Sequence, residues 1–218
     1  MNSEMIITED GSHSLYAPDI DECYHSSHGA IQESRHIFIE AGLKQCQKAD
    51  ICILEVGFGT GLNALLTYRF AQQSGKMIHY ITLEKFPVSL EQAGMLNYPG
   101  MIDGQLTGVF KSMHEAAWNK ATNISPFFIL EKVKVDFTEY HHIHQYDVIF
   151  FDAFSPEKQP EMWSQEQFEK IAAHSNQGAI LTTYCAKGVV RRSLQSAGFK
   201  VERLQGPPGK REILRGIL

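Results

Sequence analysis

The stretch Ile51-Cys52-Ile53-Leu54-Glu55-Val56-Gly57-Phe58-Gly59-Thr60-Gly61 decides how this chain is read. Residues 51–56 are short, almost wholly apolar and partly β-branched, the signature of a buried strand, and the glycines end it. A helix is predicted to follow, from about Thr60 to Ser74. Glycines at a strand-to-helix turn let the backbone bend tightly and meet a ligand with no side chain between. Dinucleotides and adenosyl groups are both bound at such turns.

Working outward, the same alternation continues. Strands are predicted over 78–83, 127–137, 146–151, 179–184, 199–204 and 212–217. Helices are predicted over 87–96, with Pro87 in its first turn, over 162–174 and over 188–197. Upstream, Ile31, Phe38, Ile39 and Leu43 among charges predict an amphipathic helix over 29–43. Residues 1–28, rich in turn formers, read as an irregular or hairpin lead-in. Residues 97–126, which include Trp118 and helical stretches, are ambiguous from sequence, with an insertion one reading of them. The whole predicts an α/β fold, Rossmann-like, with helices on both faces of a mostly parallel sheet. Residues 1–45 are expected to be an extension packed on a core domain of residues 46–218.

The 218 residues, 43% hydrophobic and 21% charged, suit one domain with its own core. No apolar run nears the roughly 18 residues that span a bilayer. The start has no basic segment leading into an apolar one, so a cytoplasmic protein is expected. Cys23, Cys46, Cys52 and Cys185 are too scattered for a disulfide framework or zinc ribbon. The net charge of −5 is unevenly spread: Lys187 to Leu218 hold eight basic and two acidic residues, so +6 there leaves −11 elsewhere. A basic end on an acidic body suits docking of a polyanion on one face, although solvated surfaces produce the same asymmetry.

Acidic residues refine the ligand. Glu55, just ahead of the glycines, would repel a pyrophosphate but can receive an ammonium group. The third glycine also falls outside its dinucleotide position. Glu84, at the end of the second strand and followed by Lys85, is placed to accept from ribose hydroxyls. Asp136 ends a later strand and can meet an adenine amino group. S-adenosylmethionine, with its ammonium and sulfonium, fits this set better than a nicotinamide dinucleotide. Asp152, in Phe150-Phe151-Asp152-Ala153-Phe154-Ser155-Pro156, sits at the edge where open α/β sheets bind ligands. A carboxylate there can orient an amine and take its proton, while Phe154 packs beside it. Turn capping would also explain Asp152. His141, His142 and His144 lack supporting ligands, as do His25 and His28, so no metal is expected. Cys185 reads as a buried thiol.

The run from Phe151 to Trp163, FDAFSPEKQPEMW, resembles the D-x-F-x-P-x-x-x-P-x-M-W signature of the tRNA 5-methylaminomethyl-2-thiouridine methyltransferases. That family forms the methyltransferase half of bifunctional MnmC proteins and includes the stand-alone MnmD proteins. The likeness takes in Glu55 to Asn63, Val190-Arg191-Arg192 with Leu194, Ala197-Gly198-Phe199, and Lys210-Arg211-Glu212. Gly11 to Tyr16 and Glu33-Ser34-Arg35 with Phe38 are similar to the stand-alone form. Gln159 stands where asparagine is usual, and Cys185-Ala186-Lys187-Gly188 replaces a Thr-Ser-Ala-Gly-like turn.

The resemblance implies a class I methyltransferase that uses S-adenosylmethionine to N-methylate 5-aminomethyl-(2-thio)uridine at the tRNA wobble position. By it, Gly57, Phe58, Gly59, Gly61 and Asn63 form the loop at the methionine end, Glu84 and Lys85 the ribose end, and Asp152 the transfer site. Lys187, Arg191, Arg192, Lys210 and Arg211 would meet tRNA at its anticodon region, with no role for DNA or membrane. Bifunctional members add a flavin oxidase domain, which 218 residues lead us not to expect. Three rivals stand beside this reading: an aminopropyltransferase of the spermidine-synthase kind, a small-molecule methyltransferase, and a non-catalytic nucleoside- or tRNA-binding module.

Overall fold

The computed structural model describes residues 3–218. Three short strands, β1 (Glu4–Ile7), β2 (His13–Ala17) and β3 (Glu22–Cys23), pair antiparallel as a small sheet, so the lead-in is a pair of hairpins. Then α1 (Ala30–Ser34) runs directly into a π-helical stretch, Arg35–Glu40. Ile37, Phe38 and Ile39 are consecutive and all buried, more than the apolar stripe of a regular α-helix presents. The wider winding replaces the second half of the predicted helix.

The main body follows as β4 (Asp50–Val56), α2 (Leu62–Ser74), β5 (Met77–Glu84), α3 (Leu90–Met95), α4 (Tyr98–Ile102) and α5 (Thr107–Glu115). Next come β6 (Lys120–Ser125), β7 (Phe128–Lys134), β8 (Tyr146–Phe151), α6 (Gln165–Ala173) and β9 (Ser175–Thr183). The chain closes with α7 (Gly188–Ser196), β10 (Lys200–Gln205) and β11 (Glu212–Ile217). Their eight-stranded sheet has the order β10-β11-β9-β8-β4-β5-β7-β6. The central five strands are parallel; β11 and β6 pair antiparallel with β9 and β7.

Alternation along β4 explains the two cores. Ile51 and Ile53 pack with Phe38, Leu62, Leu65 and Phe150 on one face, while Leu54 and Val56 pack with Phe151, Phe168 and Val190 on the other. All of β8 is buried, as a central strand covered on both faces must be. Three expectations change. Pro87 precedes α3, which starts at Leu90 under a capping box made by Ser89 and Gln92. Residues 97–126 are no insertion outside the fold, since they supply α4, α5 and the edge strand β6. The strand expected over 127–137 ends at Lys134, because Asp136 turns away to cap a short 3-10 turn at Phe137–Glu139. No helix among the described residues is long and apolar enough to cross a membrane.

Candidate active site

Neighbours β4 and β8 are where the connections diverge to opposite sides of the sheet, and a crevice opens beyond their carboxyl ends. It is a cavity of about 500 Å³, lined by residues that follow β4, β5, β7, β8 and β9. That volume suits a nucleoside-sized ligand.

The glycine turn forms its floor. Gly57, Gly59 and Gly61 have φ of 95°, 51° and 77°, in the left-handed region. A Cβ on Gly57 would lie 2.8 Å from the Asp152 carbonyl oxygen, so backbone replaces side chain where the two loops meet. Glu84 braces this turn: one carboxylate oxygen accepts from Gly59 N–H at 3.0 Å and the other from Phe86 N–H at 2.7 Å. Burial pushes the Glu84 carboxyl up. Phe58 packs under the turn against His114 and Trp118. Beneath it lies Lys132, 1% exposed, which donates to the His114 carbonyl and sits 4.6 Å from the Trp118 ring. Burial draws this lysine down to about 8.

Lys85 and Asp136 close the far end of the cavity through an ion pair of 2.7 Å. Burial raises the Asp136 carboxyl, yet hydrogen bonds from Lys85 and Thr138 outweigh it and hold the group below its ordinary value. Phe137 and Leu83 add apolar wall beside them. A cradle free of Cβ atoms, a carboxylate at the end of β5 and an apolar slot fit an adenosyl ligand.

Glu55 does not meet the expectation of a direct ammonium contact. It is 0% exposed and lies outside the cavity wall, because alternation turns its side chain under the loop. Thr82 donates to one oxygen at 2.6 Å, while the other has no hydrogen-bond partner. Burial lifts the carboxyl to about 8, with Asp152 repulsion adding to it.

Asp152 stands at the cavity wall. Its backbone N–H donates to the Val56 carbonyl, and its carboxylate accepts from Asn63 Nδ2 at 2.8 Å. Burial and the neighbouring Glu33 charge raise it to about 7, against the Asn63 hydrogen bond and the Lys210 charge. Phe154 lines the cavity too, edge-on to Tyr24 at 5.1 Å, and its carbonyl accepts from Trp163 Nε1. The loop after Asp152 is thus pinned to Trp163 through Phe154 and Phe151.

The basic residues separate. Lys210 is no surface cation: it lines the cavity, 3.3 Å from Glu33 Oε1 and 4.8 Å from the Tyr184 ring. Lys187 pairs with Glu157. Arg191 is half-buried, with Nε out of contact with water, whereas Arg192 and Arg211 are exposed and have no carboxylate partner among the described residues. Among the described residues no group of His, Cys, Asp and Glu can hold a metal; His142 is buried against Tyr146 instead.

Sequence reasoning missed the wall contributed by residues 20–33. Tyr24 and His25 lie in the cavity, and His25 meets Thr60 Oγ1 at 2.8 Å. Burial lowers His25 to about 4, which keeps it neutral. Glu22 accepts from the N–H and hydroxyl of Ser155, tying β3 to the Asp152 loop. Only the Glu33-Ser34-Arg35 block gave any signal, and that came from resemblance.

Fold and cavity define a class I S-adenosylmethionine-dependent methyltransferase. Residues 111–218 match the family described as S-adenosyl-L-methionine-dependent methyltransferase. The chain matches the methyltransferase half of bifunctional MnmC proteins. It is 34% identical, over 90% of its length, to the tRNA 5-methylaminomethyl-2-thiouridine biosynthesis bifunctional protein MnmC of Pseudomonas fluorescens Pf-5. It is 30% identical, over 97%, to that of Cupriavidus metallidurans. It spans about a third of each, 32% and 33%. The crystal structure of MnmC2 from Aquifex aeolicus superposes with a TM-score of 0.81 at 26% identity, over 99% of this chain and 69% of that one. Spermidine synthase from Thermotoga maritima, at TM-score 0.58 and 12% identity over 100% and 71%, shares the fold alone.

Proposed function

We propose that this chain transfers a methyl group from S-adenosylmethionine to the primary amine of 5-aminomethyl-(2-thio)uridine at the tRNA wobble position. The observation that carries the reading is Asp152: a half-buried carboxylate, raised to about 7, beside a glycine cradle and under an aromatic wall. Glu84 would hold the ribose, Asp136 the adenine end and the Gly57–Gly61 turn the methionine end. When bound, the cofactor supplies an electrophilic methyl on a sulfonium, so the chain need only align the amine and manage its proton. An aminomethyl group arrives as a cation, and Asp152 in its ionised form attracts it. Asp152 takes one proton and leaves a lone pair to attack; the amine that emerges gives up its second proton to solvent. Asn63 keeps the carboxylate aimed. Tyr24 and Phe154 shed water from the reacting pair.

The rival polyamine site is disfavoured by relatedness: the chain is 34% identical to an MnmC protein and 12% identical to a spermidine synthase. The reading carries with it tRNA as partner, bound near the anticodon, a cytoplasmic location, and residues 1–45 as an extension that completes the site on a core of 46–218. RNA would lie across Arg192 and Arg211, with Lys187 and Arg191 beside them. Arg192 is within the first turns of α7, which begins at the same sheet edge as the cavity.

The test is incubation with methyl-labelled S-adenosylmethionine and tRNA bearing 5-aminomethyluridine, followed by digestion and mass spectrometry. Label in 5-methylaminomethyluridine is the result expected. Bound cofactor with no label in RNA would overturn the reading. Reversal of Arg192 and Arg211 to Glu is expected to weaken RNA binding and to flatten its salt dependence by up to about two phosphate equivalents. An unchanged slope would move the RNA to another face.

A further inference from the structure

Glu33 and Lys210 come from opposite ends of the chain and meet in the wall of the cavity. Glu33 is nearly buried: one oxygen accepts from Ser26 N–H at 2.8 Å, and the other lies 3.3 Å from Lys210 Nζ. Lys210 Nζ is held over the Tyr184 ring, and the Tyr184 hydroxyl donates to the Ala153 carbonyl, next to Asp152. The segment carrying Lys210 is seated against residue 28: a Cβ on Gly209 would overlap the His28 ring edge at Cδ2. The pair therefore presents a fixed donor and a fixed acceptor side by side, near the carboxylate that receives the amine.

We propose that Lys210 and Glu33 read the edge of the substrate base, selecting a uracil over a cytosine. The inference rests on the reading of the site as one for a 5-aminomethyl pyrimidine. In uracil, the C4 carbonyl and then the N3–H follow C5 around the ring, an acceptor beside a donor. With the aminomethyl group on C5 aimed at Asp152, Lys210 donates to O4 and Glu33 accepts from N3–H. Cytosine reverses the pattern, with an amino donor at C4 and a bare N3. It would set an amino group against an ammonium and a lone pair against a carboxylate. Sites built to hydrogen-bond one pattern reject its inverse strongly, because their own buried groups are left unpaired. The substituent at C2 lies beyond both side chains, so the pair is indifferent to oxygen or sulfur there. This role differs from the phosphate contact that the basic tail suggested for Lys210.

The test uses two anticodon stem-loop RNAs, identical but for 5-aminomethyluridine or 5-aminomethylcytidine at the wobble position, and reads methyl transfer from labelled S-adenosylmethionine. Wild type is expected to favour uridine in kcat/KM by about 100-fold or more, since a matched base edge is worth roughly 10- to 100-fold per bidentate contact. In K210M and E33Q the uridine rate falls, and the preference collapses below about 10-fold. Cofactor affinity by calorimetry stays within about twofold of wild type, which shows that both variants are folded. A preference that survives in both variants overturns the proposal, as does a wild type that accepts both bases equally. Loss of cofactor binding in both variants also overturns it, by marking the pair as scaffold. Should wild type bind the cofactor and label neither RNA, the assigned reaction falls and takes this inference with it.

Discussion

The cavity has two halves made by different means. The half proposed for the cofactor is lined by Gly57 to Gly59, Glu84 and Asp136, each at or just beyond the end of a parallel strand, so the sheet alone brings them into register. The opposite half uses Tyr24, His25, Glu33, Tyr184 and Lys210, which no single element aligns. A small antiparallel sheet and the β10–β11 loop must first dock on the core. The first half follows from the parallel sheet alone, an architecture that spermidine synthase shares as a fold. What is particular to this chain lies in the second. Asp152 stands at the seam.

Changes at the seam are expected to have the largest effect. Asp152→Asn should lower turnover by about 10²- to 10⁴-fold, the usual range for losing a proton acceptor, with cofactor affinity little changed. The pH profile sharpens this. Asp152 is raised to about 7, and its protonated form cannot take a proton, so turnover should climb as pH rises through about 7 and then level. The limb should vanish in the Asn variant. A limb that persists there would belong to the substrate amine, and near-normal turnover would reduce Asp152 to a turn cap.

Next comes the cofactor half. Gly57→Ala forces a side chain into left-handed backbone, at about 1–2 kcal/mol, and sets a Cβ against the Asp152 carbonyl oxygen. Affinity for S-adenosylmethionine should fall by about 10- to 100-fold while RNA affinity holds. Equal losses of both would show that the halves are one cooperative unit.

These halves also mark what the sequence could and could not show. Residues 51–61 were legible because strand period and turn chemistry are local: six apolar residues and three glycines specify their own conformation. Glu84 and Asp152 followed, because strand ends in a parallel sheet share one edge. Glu55 misled, since its position before the glycines suggested a ligand while strand alternation turned it away from the cavity. Glu33 was invisible locally. A carboxylate in an amphipathic stretch reads as solvent-facing, and only its pairing with Lys210, 177 positions later, shows why it is buried. Lys210 misled for the same reason, read as surface charge within a basic tail.

A smaller effect is expected at the latch between the halves. Glu22→Ala removes the charged acceptor for Ser155 N–H and hydroxyl, bonds of the kind worth about 1.5–3 kcal/mol. The Asp152 loop would then lose its tie to β3. We expect kcat/KM for RNA to drop about tenfold and cofactor affinity to hold, by steady-state kinetics and calorimetry. A loss of cofactor affinity instead would mean that the N-terminal sheet supports the generic half as well.

The smallest catalytic effect is expected at Glu55, which belongs to the glycine stretch by sequence and sits beneath the cavity by geometry. Glu55→Gln should keep cofactor affinity within about threefold, since no Glu55 atom lines the cavity. Its stability, in contrast, should change with pH. Glu55 is raised from 4.5 to about 8, so the folded chain holds a proton there that the unfolded chain releases above its ordinary value. That contribution is complete below about pH 4.5 and is lost as pH rises through about 8. Glutamine cannot ionise and escapes the loss. Relative to wild type, the variant should therefore gain stability between pH 5 and pH 8, on the order of 3–4 kcal/mol, or roughly 6–16 °C in Tm without cofactor. Parallel melting curves would show that Glu55 stays ionised in its buried site. A cofactor affinity weakened tenfold or more would return Glu55 to the ligand shell that its place beside Gly57 first suggested.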